Sequence, residues 1–245
     1  MAIRNNVLGA VTLLASVASV SLAHADDGNC DGFQSLDPKV AIAIGKVDSN
    51  TDRVNFVKNR STQNSCPSND AACREKGYLV QGDQVIVSTI GENFVCADYV
   101  NSKGLTRAGW LPRSAIAIVP NQTSFRPEDW VGQWKGGPEQ KISIEKTAKS
   151  NSDIKISGEA TFGALDPARV KRGAVNLGEI SATTVPDGGS LAFTMGDDKT
   201  LPYTQGDDYD CRVRMRLVGS FLLVEDNRNC GGMNVSFSGA YQRRK

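Results

Sequence analysis

The chain lacks the side chains on which most hydrolytic and metal chemistry depends. Among its 245 residues there is one histidine, His24, and no Cys-x-x-Cys pair. Residues 1–25 are typical of a secretory signal: Arg4 begins a short basic region, the apolar run Val7–Val20 follows, and Ala23-His24-Ala25 is a small-residue cleavage site. The run is too short for a membrane-spanning helix. We therefore expect these residues, and the histidine with them, to be removed.

A mature chain without histidine has no imidazole general base, no Ser-His or Cys-His nucleophile pair and no histidine metal ligand. Loops at 197–198 and 207–210 hold aspartates that could supply calcium ligands or the carboxylate pair of a glycosidase. Gly206-Asp207-Asp208 lacks the spacing of a calcium loop, so we interpret these aspartates as turn residues. We expect no catalytic residue, no metal and no cofactor.

Neither sign of charge is in excess. The 28 lysines and arginines fall to 27 when Arg4 is removed, which equals the 27 acidic residues. Binding to nucleic acid needs a basic excess that displaces phosphate counterions, so nucleic acid is not an expected partner. A chain with 40% hydrophobic and 22% charged residues is globular in composition, and we expect no membrane span.

All six cysteines follow the predicted signal, and an even number in an exported chain predicts disulfides. Four lie before residue 100 and two after residue 210, as two separate domains would have them. Cys66–Cys73 and Cys30–Cys96 are the preferred pairs among three connectivities, and Cys211–Cys230 is expected in the second domain. The expected compartment is the periplasm or the exterior.

The hydrophobic pattern predicts an all-β fold. Residues 26–119 show short apolar runs broken by Gly, Asn and Asp, with little helical periodicity. The candidate strands of this first domain are Lys39–Gly45, Arg53–Lys58, Tyr78–Val80, Gln84–Thr89, Phe94–Val100, Gly109–Leu111 and Ala115–Val119.

Residues 120–128 are typical of a linker, and residues 129–245 alternate more cleanly between apolar and polar positions. About eight strands in this second part predict an antiparallel β-barrel or sandwich. Its last strand is expected over Met233–Tyr241, and a two-residue turn at Gly219-Ser220 predicts the pairs Leu217–Leu222, Met215–Val224 and Arg214–Glu225.

Two motifs of the first domain resemble those of bacterial SH3-like domains, the Src-homology-3 barrel of exported bacterial proteins. They are Gly77–Val85 with its Gly-Asp turn, and Gly109-Trp110-Leu111-Pro112 followed by Ile116. The resemblance implies a barrel of five to six strands that binds peptides, often cell-wall peptides. Four cysteines and a long Cys66–Cys73 loop depart from the family pattern.

The predicted ligand-binding residues of this domain are Tyr78, Asp98, Tyr99, Trp110 and Arg113. The aromatic residues could line a groove for a peptide or glycan, or Tyr78 and Trp110 could pack the barrel. Alternation places Tyr99 on the face opposite Cys96. If Cys96 points inward to its disulfide, Tyr99 points outward and is available to a ligand.

The second domain carries two weaker signals. Gly132-x-Trp134 is similar to the Gly-x-Trp motif of lipocalin-like barrels, in which Arg243 or Arg244 would cover the tryptophan. The alternative is a tryptophan that plugs a barrel filled by side chains. Arg212, Arg214 and Arg216 share one strand face, which could grip an anion or form a solvated face of charge pairs.

The sequence predicts a non-enzymatic periplasmic or secreted binding protein that contacts peptide or peptidoglycan at the cell envelope. The alternative is an inhibitor of an envelope-acting enzyme or toxin, similar to lysozyme inhibitors, whose partner would be an envelope protein. A carboxylate hydrolase is a third and weaker hypothesis.

Overall fold

The computed structural model describes residues 28–48, 50, 52–148, 150, 152–197 and 199–244. The predicted signal at 1–25 lies outside these ranges. The described chain is all-β, as predicted, and its strands form two antiparallel sheets. None of the described helices is long and apolar enough to span a membrane.

The first sheet has seven strands, one at each position that the hydrophobic pattern predicts. Its order is β3-β2-β6-β5-β4-β1-β7. β3 begins four residues and β6 three residues earlier than predicted, because charged and polar residues at their starts conceal the strand pattern. β1 begins four residues later than predicted, at Ala43. The strands are β1 (Ala43–Val47), β2 (Arg53–Val57), β3 (Arg74–Val80), β4 (Gln84–Ile90), β5 (Phe94–Val100), β6 (Thr106–Pro112) and β7 (Ile116–Val119).

The second sheet has nine strands in the order β11-β10-β9-β8-β16-β15-β14-β12-β13. Its two edges approach each other, since the Ser181 N–H donates to Met195 Sδ at 3.4 Å and the Thr183 N–H to Thr200 Oγ1 at 2.9 Å. The sheet is therefore nearly closed into a barrel. The strands are β8 (Gly132–Lys135), β9 (Gln140–Lys146), β10 (Ile154–Phe162), β11 (Asn176–Thr184), β12 (Ser190–Met195), β13 (Thr200–Leu201), β14 (Cys211–Val218), β15 (Phe221–Asp226) and β16 (Gly239–Arg243).

The hairpin of β14 and β15 has the predicted register. Leu217 pairs with Leu222, and Arg214 pairs with Glu225. Gly219 has a φ of 58°, which the two-residue turn requires and which glycine adopts without strain.

The last strand is shorter than predicted, because β16 begins at Gly239 rather than at Met233. The Asp226 carboxylate accepts hydrogen bonds from the Ser236 hydroxyl and from the Ser238 N–H. These bonds hold the preceding segment as a loop against the barrel end.

The two short α-helices are α1 (Pro127–Trp130) and α2 (Pro167–Lys171). α1 begins inside the predicted linker 120–128, where the Arg126 N–H donates to the Asp129 carboxylate at 2.8 Å. Trp130 is fully buried in the core of the second sheet, and Phe125 packs against that core. The end of the predicted linker therefore belongs to the packed structure.

Three disulfides join Cys30 to Cys96, Cys66 to Cys73 and Cys211 to Cys230, which are the three pairs preferred from the sequence. None of them crosses from one sheet to the other. Three disulfides are typical of an oxidising compartment outside the cytoplasm.

The two sheets share a hydrophobic cluster, so they pack as one unit. The segment 28–42, which precedes β1, lies between them. Glu225 of the second sheet accepts a hydrogen bond from the Leu36 N–H of this segment at 2.7 Å. The buried members of the shared cluster are Leu36, Ile42, Ile44, Ile86 and Val100 from the first part and Val218, Phe221, Leu223 and Ala240 from the second.

Candidate functional site

The five predicted ligand-binding residues do not form one groove. Trp110 and Asp98 are buried on one side of the first sheet, under the segment 28–42. Tyr99 lies on the opposite side, toward the core of that sheet. Tyr78 and Arg113 are exposed, on β3 and on the turn that follows β6.

Trp110 packs the protein, which is the second of the two alternatives that the sequence left open. Its side chain is 2% exposed and contacts the cluster of Cys30 and Cys96. The indole Nε1–H donates to the Gly28 carbonyl at 3.0 Å, which satisfies the polar end of a buried tryptophan.

Asp98 also holds the N-terminal segment. Its carboxylate accepts the Phe33 N–H at 2.9 Å, and the side chain is 4% exposed. A Cβ on Gly32, whose φ is 82°, would lie 2.2 Å from Asp98 Oδ1, so only glycine allows this approach. Burial raises the pKa of Asp98 to about 6, although the hydrogen bond from Phe33 acts in the opposite direction.

The alternation of side chains predicted for β5 is correct, but the residues expected to point inward point outward, and the reverse. Cys96 and Asp98 point toward the segment 28–42, whereas Ala97 and Tyr99 point toward the core. Tyr99 is half-buried at the end of this core, opposite Arg107 on β6. The expectation that Tyr99 points outward is therefore wrong, because the segment 28–42 covers the outer side of the strand.

Arg113 and Tyr78 are the two predicted residues that are largely exposed. Arg113 donates from Nη1 to the Gly91 carbonyl at 3.1 Å, which fixes the turn beside it. Tyr78 is 46% exposed, and the Arg53 guanidinium lies 4.0 Å from the centroid of its ring. This stacking gives Tyr78 a cationic neighbour on an open surface.

Tyr78 belongs to a surface that we call the β2–β3 face. Side chains of β3 alternate between exposed and covered positions, and the register pairs Arg53 with Val80 and Asn55 with Tyr78. Paired residues lie on the same side of the two strands. The β2–β3 face therefore consists of Arg53 and Asn55 from β2 and Arg74, Lys76, Tyr78 and Val80 from β3.

A cavity of about 310 Å³ adjoins this face. It is bounded by Arg53 and Arg74 on the strands and by residues 68–70 of the loop that the Cys66–Cys73 disulfide closes. Pro112 and Ala115 complete the wall on the side of β6. The disulfide keeps the loop in place, so the cavity is formed without a ligand.

The β2–β3 face is positively charged. Within the described residues, Arg53, Arg74 and Lys76 form no salt bridge. Asp70 is the acidic residue of the cavity wall, and its carboxylate accepts the Ser68 hydroxyl at 3.0 Å. The arrangement can bind a carboxylate while Tyr78 and Val80 contact an apolar side chain.

Of the residues on this face, only Tyr78 is among the ligand-binding residues predicted from the sequence. Arg74, Lys76, Tyr78 and Val80 recur at every second residue, which is the signal that could have grouped them. The signal was missed because the strand was predicted to begin at Tyr78, so the two cations were assigned to the preceding loop.

In the second sheet, side chains fill the space that a ligand cup would need. Trp134 is 2% exposed, its Nε1–H donates to the Trp130 carbonyl at 2.9 Å, and the Arg243 guanidinium covers its ring at 4.5 Å. Phe193 and Tyr241 are fully buried in the same core. The arginine over Trp134 is the contact expected from the lipocalin-like motif, whereas the filled core favours the alternative in which the tryptophan plugs the barrel.

The arginine stripe of β14 contacts the protein itself. Arg216 donates to the Val40 carbonyl at 2.7 Å, and Arg214 lies 3.9 Å from the carboxylate of Asp37. Arg212 donates to the Asp207 carbonyl at 2.9 Å. Two of the three arginines therefore hold the segment 28–42 against the second sheet. Arg214 also lies 3.8 Å from the Glu225 carboxylate, so it forms the charge pairs of the second alternative.

Within residues 28–244, apart from the five positions the structure leaves undescribed, no group of three or more His, Cys, Asp or Glu side chains is arranged to hold a metal ion. Asp207 and Asp210 are joined by a turn, in which the Asp207 N–H donates to the Asp210 carboxylate at 2.8 Å.

Comparisons of the chain with protein-family models, with curated proteins and with solved structures found no match, so a function has to be argued from the geometry of the β2–β3 face.

Proposed function

We propose that the protein is a non-enzymatic periplasmic or secreted binding protein that acts at the cell envelope through contact with peptide or peptidoglycan. The β2–β3 face carries this proposal. It combines an exposed tyrosine, three cations without a salt-bridge partner among the described residues, and a preformed cavity. An SH3-like architecture of the first sheet would agree with peptide binding.

Binding accounts for this surface better than catalysis does. The side chains around the cavity are arginine, asparagine, serine, aspartate and apolar residues, and the chain from residue 28 onward contains no histidine. The buried carboxyl group of the first sheet, Asp98, faces the Phe33 amide rather than this cavity. The cavity thus has groups that orient a ligand but no imidazole, and the carboxylate of its wall, Asp70, is an exposed loop residue that accepts the Ser68 hydroxyl.

The surface is also rigid, which lowers the entropic cost of binding. The Cys66–Cys73 disulfide closes a loop of eight residues beside β2, and the Lys58 ammonium donates to the Ala72 carbonyl at 2.7 Å. A surface that is ordered before binding loses little conformational freedom when a ligand arrives.

A pair of pull-down experiments tests the proposal. The oxidised mature protein is incubated with purified sacculi and, in parallel, immobilised and exposed to an extract of envelope proteins. We expect retention in one of the two, and loss of retention when Arg53 and Arg74 are both replaced by alanine. Absence of retention in both experiments would contradict the proposal.

The disulfide-closed loop favours a second candidate, an inhibitor of an envelope-acting enzyme. Residues 69–72 form its exposed tip, and a rigid exposed loop suits insertion into an enzyme cleft. If this candidate is correct, lysozyme should lose its activity when an equimolar amount of the protein is added. The variant in which Asn69 and Asp70 are replaced by alanine should not inhibit it. Unchanged lysozyme activity would exclude that enzyme as the target.

A further inference from the structure

We propose that the open edge of β3 accepts an acidic segment of an envelope protein as an added antiparallel or parallel strand. The inference rests on the proposed function and makes it narrower, since it names a protein segment of L-residues, rather than peptidoglycan, as the occupant.

β3 is the edge strand of the first sheet. It pairs with β2 on one side, and within the described part of the chain no strand pairs with its other side. At seven residues it is long enough to form a ladder with a partner. The edge from Arg74 to Tyr78 can present N–H and C=O groups to an extended chain, whereas those of Val80 are bonded to Asp83.

The backbone of Tyr78 faces this open edge. The Val80 N–H donates to the Asp83 carboxylate, and the Val80 carbonyl accepts the Asp83 N–H, so both groups of Val80 point away from β2. In an antiparallel ladder the direction of these groups repeats every second residue. The N–H and C=O of Tyr78 therefore point outward and are placed to bond a partner strand.

The charges beside the edge select an acidic partner. Arg74 and Lys76 are exposed on β3 itself, and Arg53 lies over Tyr78. Glu75, the acid of the same strand, is on the covered side and pairs with Arg107. On this face, β3 of a second copy of the chain would offer arginine, lysine, tyrosine and valine but no acid, whereas glutamates or aspartates of another protein would pair with the cations.

The apolar part of the edge selects the other side chains of the partner. Tyr78 and Val80 are 46% and 44% exposed. A strand added at the normal spacing of about 4.8 Å would place every second side chain beside them. At every second residue, the expected segment therefore carries acidic side chains opposite Arg74 and Lys76 and apolar side chains opposite Tyr78 and Val80.

The regular ladder is also the reason to prefer a protein segment over a wall peptide. Residues of one chirality alternate their side chains between the two faces of a strand. Wall peptides mix D- and L-residues, so their side chains would not follow the alternation of β3. A segment of L-residues matches both the hydrogen bonds and the side-chain pattern.

The test uses two fluorescent seven-residue L-peptides, Val-Thr-Val-Thr-Glu-Thr-Glu for an antiparallel partner and Glu-Thr-Glu-Thr-Val-Thr-Val for a parallel one, each titrated with the mature protein and followed by fluorescence anisotropy. We expect saturable binding that weakens with salt. For a peptide that binds, methylation of the alternate backbone nitrogens that face β3 is expected to abolish binding, because the ladder cannot form. Methylation of the intervening nitrogens, which face solvent, is expected to leave binding intact.

Two charge reversals form a matched pair of variants. Lys76→Glu is expected to weaken binding of the peptide by about tenfold. Lys103→Glu, at an exposed position of another turn, is expected to leave binding unchanged. Melting temperatures of both variants should equal that of the wild type.

The outcomes separate this inference from the proposed function. Strand addition would be overturned if the two methylated forms of the peptide bound equally well. It would also be overturned if the Lys76→Glu and Lys103→Glu variants bound the peptide with equal affinity. Binding to sacculi without binding to the acidic peptide would overturn the inference and leave the proposed function standing. Absence of binding to the peptide, to sacculi and to envelope proteins would remove both.

Discussion

The carboxylate of Asp98 accepts the backbone N–H of Phe33 at 2.9 Å, and this bond fastens the segment 28–42 to the middle of the first sheet. On the other side of the same segment, Glu225 accepts the Leu36 N–H and Arg216 donates to the Val40 carbonyl. One segment is thus bonded to both sheets through buried or half-buried charged side chains. We therefore expect these bonds to contribute to the stability of both sheets.

The first prediction concerns the pH dependence that Asp98 produces. Burial raises its pKa from 3.8 to about 6, so the folded protein holds the proton more tightly than the unfolded chain does. Its contribution to stability is therefore complete below about pH 4 and is lost as the pH rises through about 6.

We expect Asp98→Asn to be more stable than the wild type at pH 7, by up to about 3 kcal/mol, and similar to it at pH 4, since asparagine can still accept the Phe33 N–H. Urea denaturation at several pH values measures the difference. Parallel stability curves for the two proteins between pH 4 and pH 7 would contradict this assignment.

The second prediction follows from the cluster that the two sheets share. Phe221 is 3% exposed and contacts residues of both parts of the chain. Replacing it with alanine should lower the free energy of unfolding by about 3–5 kcal/mol. Calorimetry of the wild type should show one cooperative transition, which the variant shifts as a whole. Two resolved transitions, of which only one shifts, would show that the sheets unfold independently.

The third prediction compares two disulfides. Cys30–Cys96 spans 66 residues of sequence, and Cys66–Cys73 spans 7. In the chain-entropy account the longer loop stabilises more, about 4 kcal/mol against about 2.5 kcal/mol. Each pair is replaced by two serines, and the variants are compared by guanidinium denaturation. The variant without Cys30–Cys96 should lose more stability than the variant without Cys66–Cys73. Peptide mapping without reduction should yield the three pairs and no peptide that links the first four cysteines to the last two.

Most of the fold could be predicted because local patterns determine it. Period-two alternation located the strands of both sheets, and the Gly219-Ser220 turn determined the register of β14 and β15, since its length allows only one pairing. The ends of β3 and β16 were predicted less well. Charged residues conceal the start of β3, and the Asp226 carboxylate, through hydrogen bonds to two serines, holds as a loop a segment that alternates like a strand.

The candidate site could not be predicted, because it depends on which side of the first sheet the segment 28–42 covers. Nothing in the local sequence of β5 shows that Cys96, rather than Tyr99, faces away from the core. The position of a segment some 60 residues away decides it, through the bonds of Gly28 to Trp110 and of Phe33 to Asp98. Tyr78 remained on an open surface because that segment does not reach β3.

The last prediction compares the contributions of Tyr78 and Tyr99 to stability and to binding. Tyr99 packs against the core of the first sheet, and its loss should lower the free energy of unfolding by about 1–3 kcal/mol. Tyr78 is exposed and stacks on Arg53, so Tyr78→Ala should change stability by no more than about 0.5 kcal/mol. The same variant should weaken binding of the acidic peptide, because the aromatic contact beside the open edge is lost. Urea denaturation and peptide titration of both variants measure the contrast. If Tyr99→Ala kept full stability and lost binding, the ligand would lie at the end of the core near Arg107 instead.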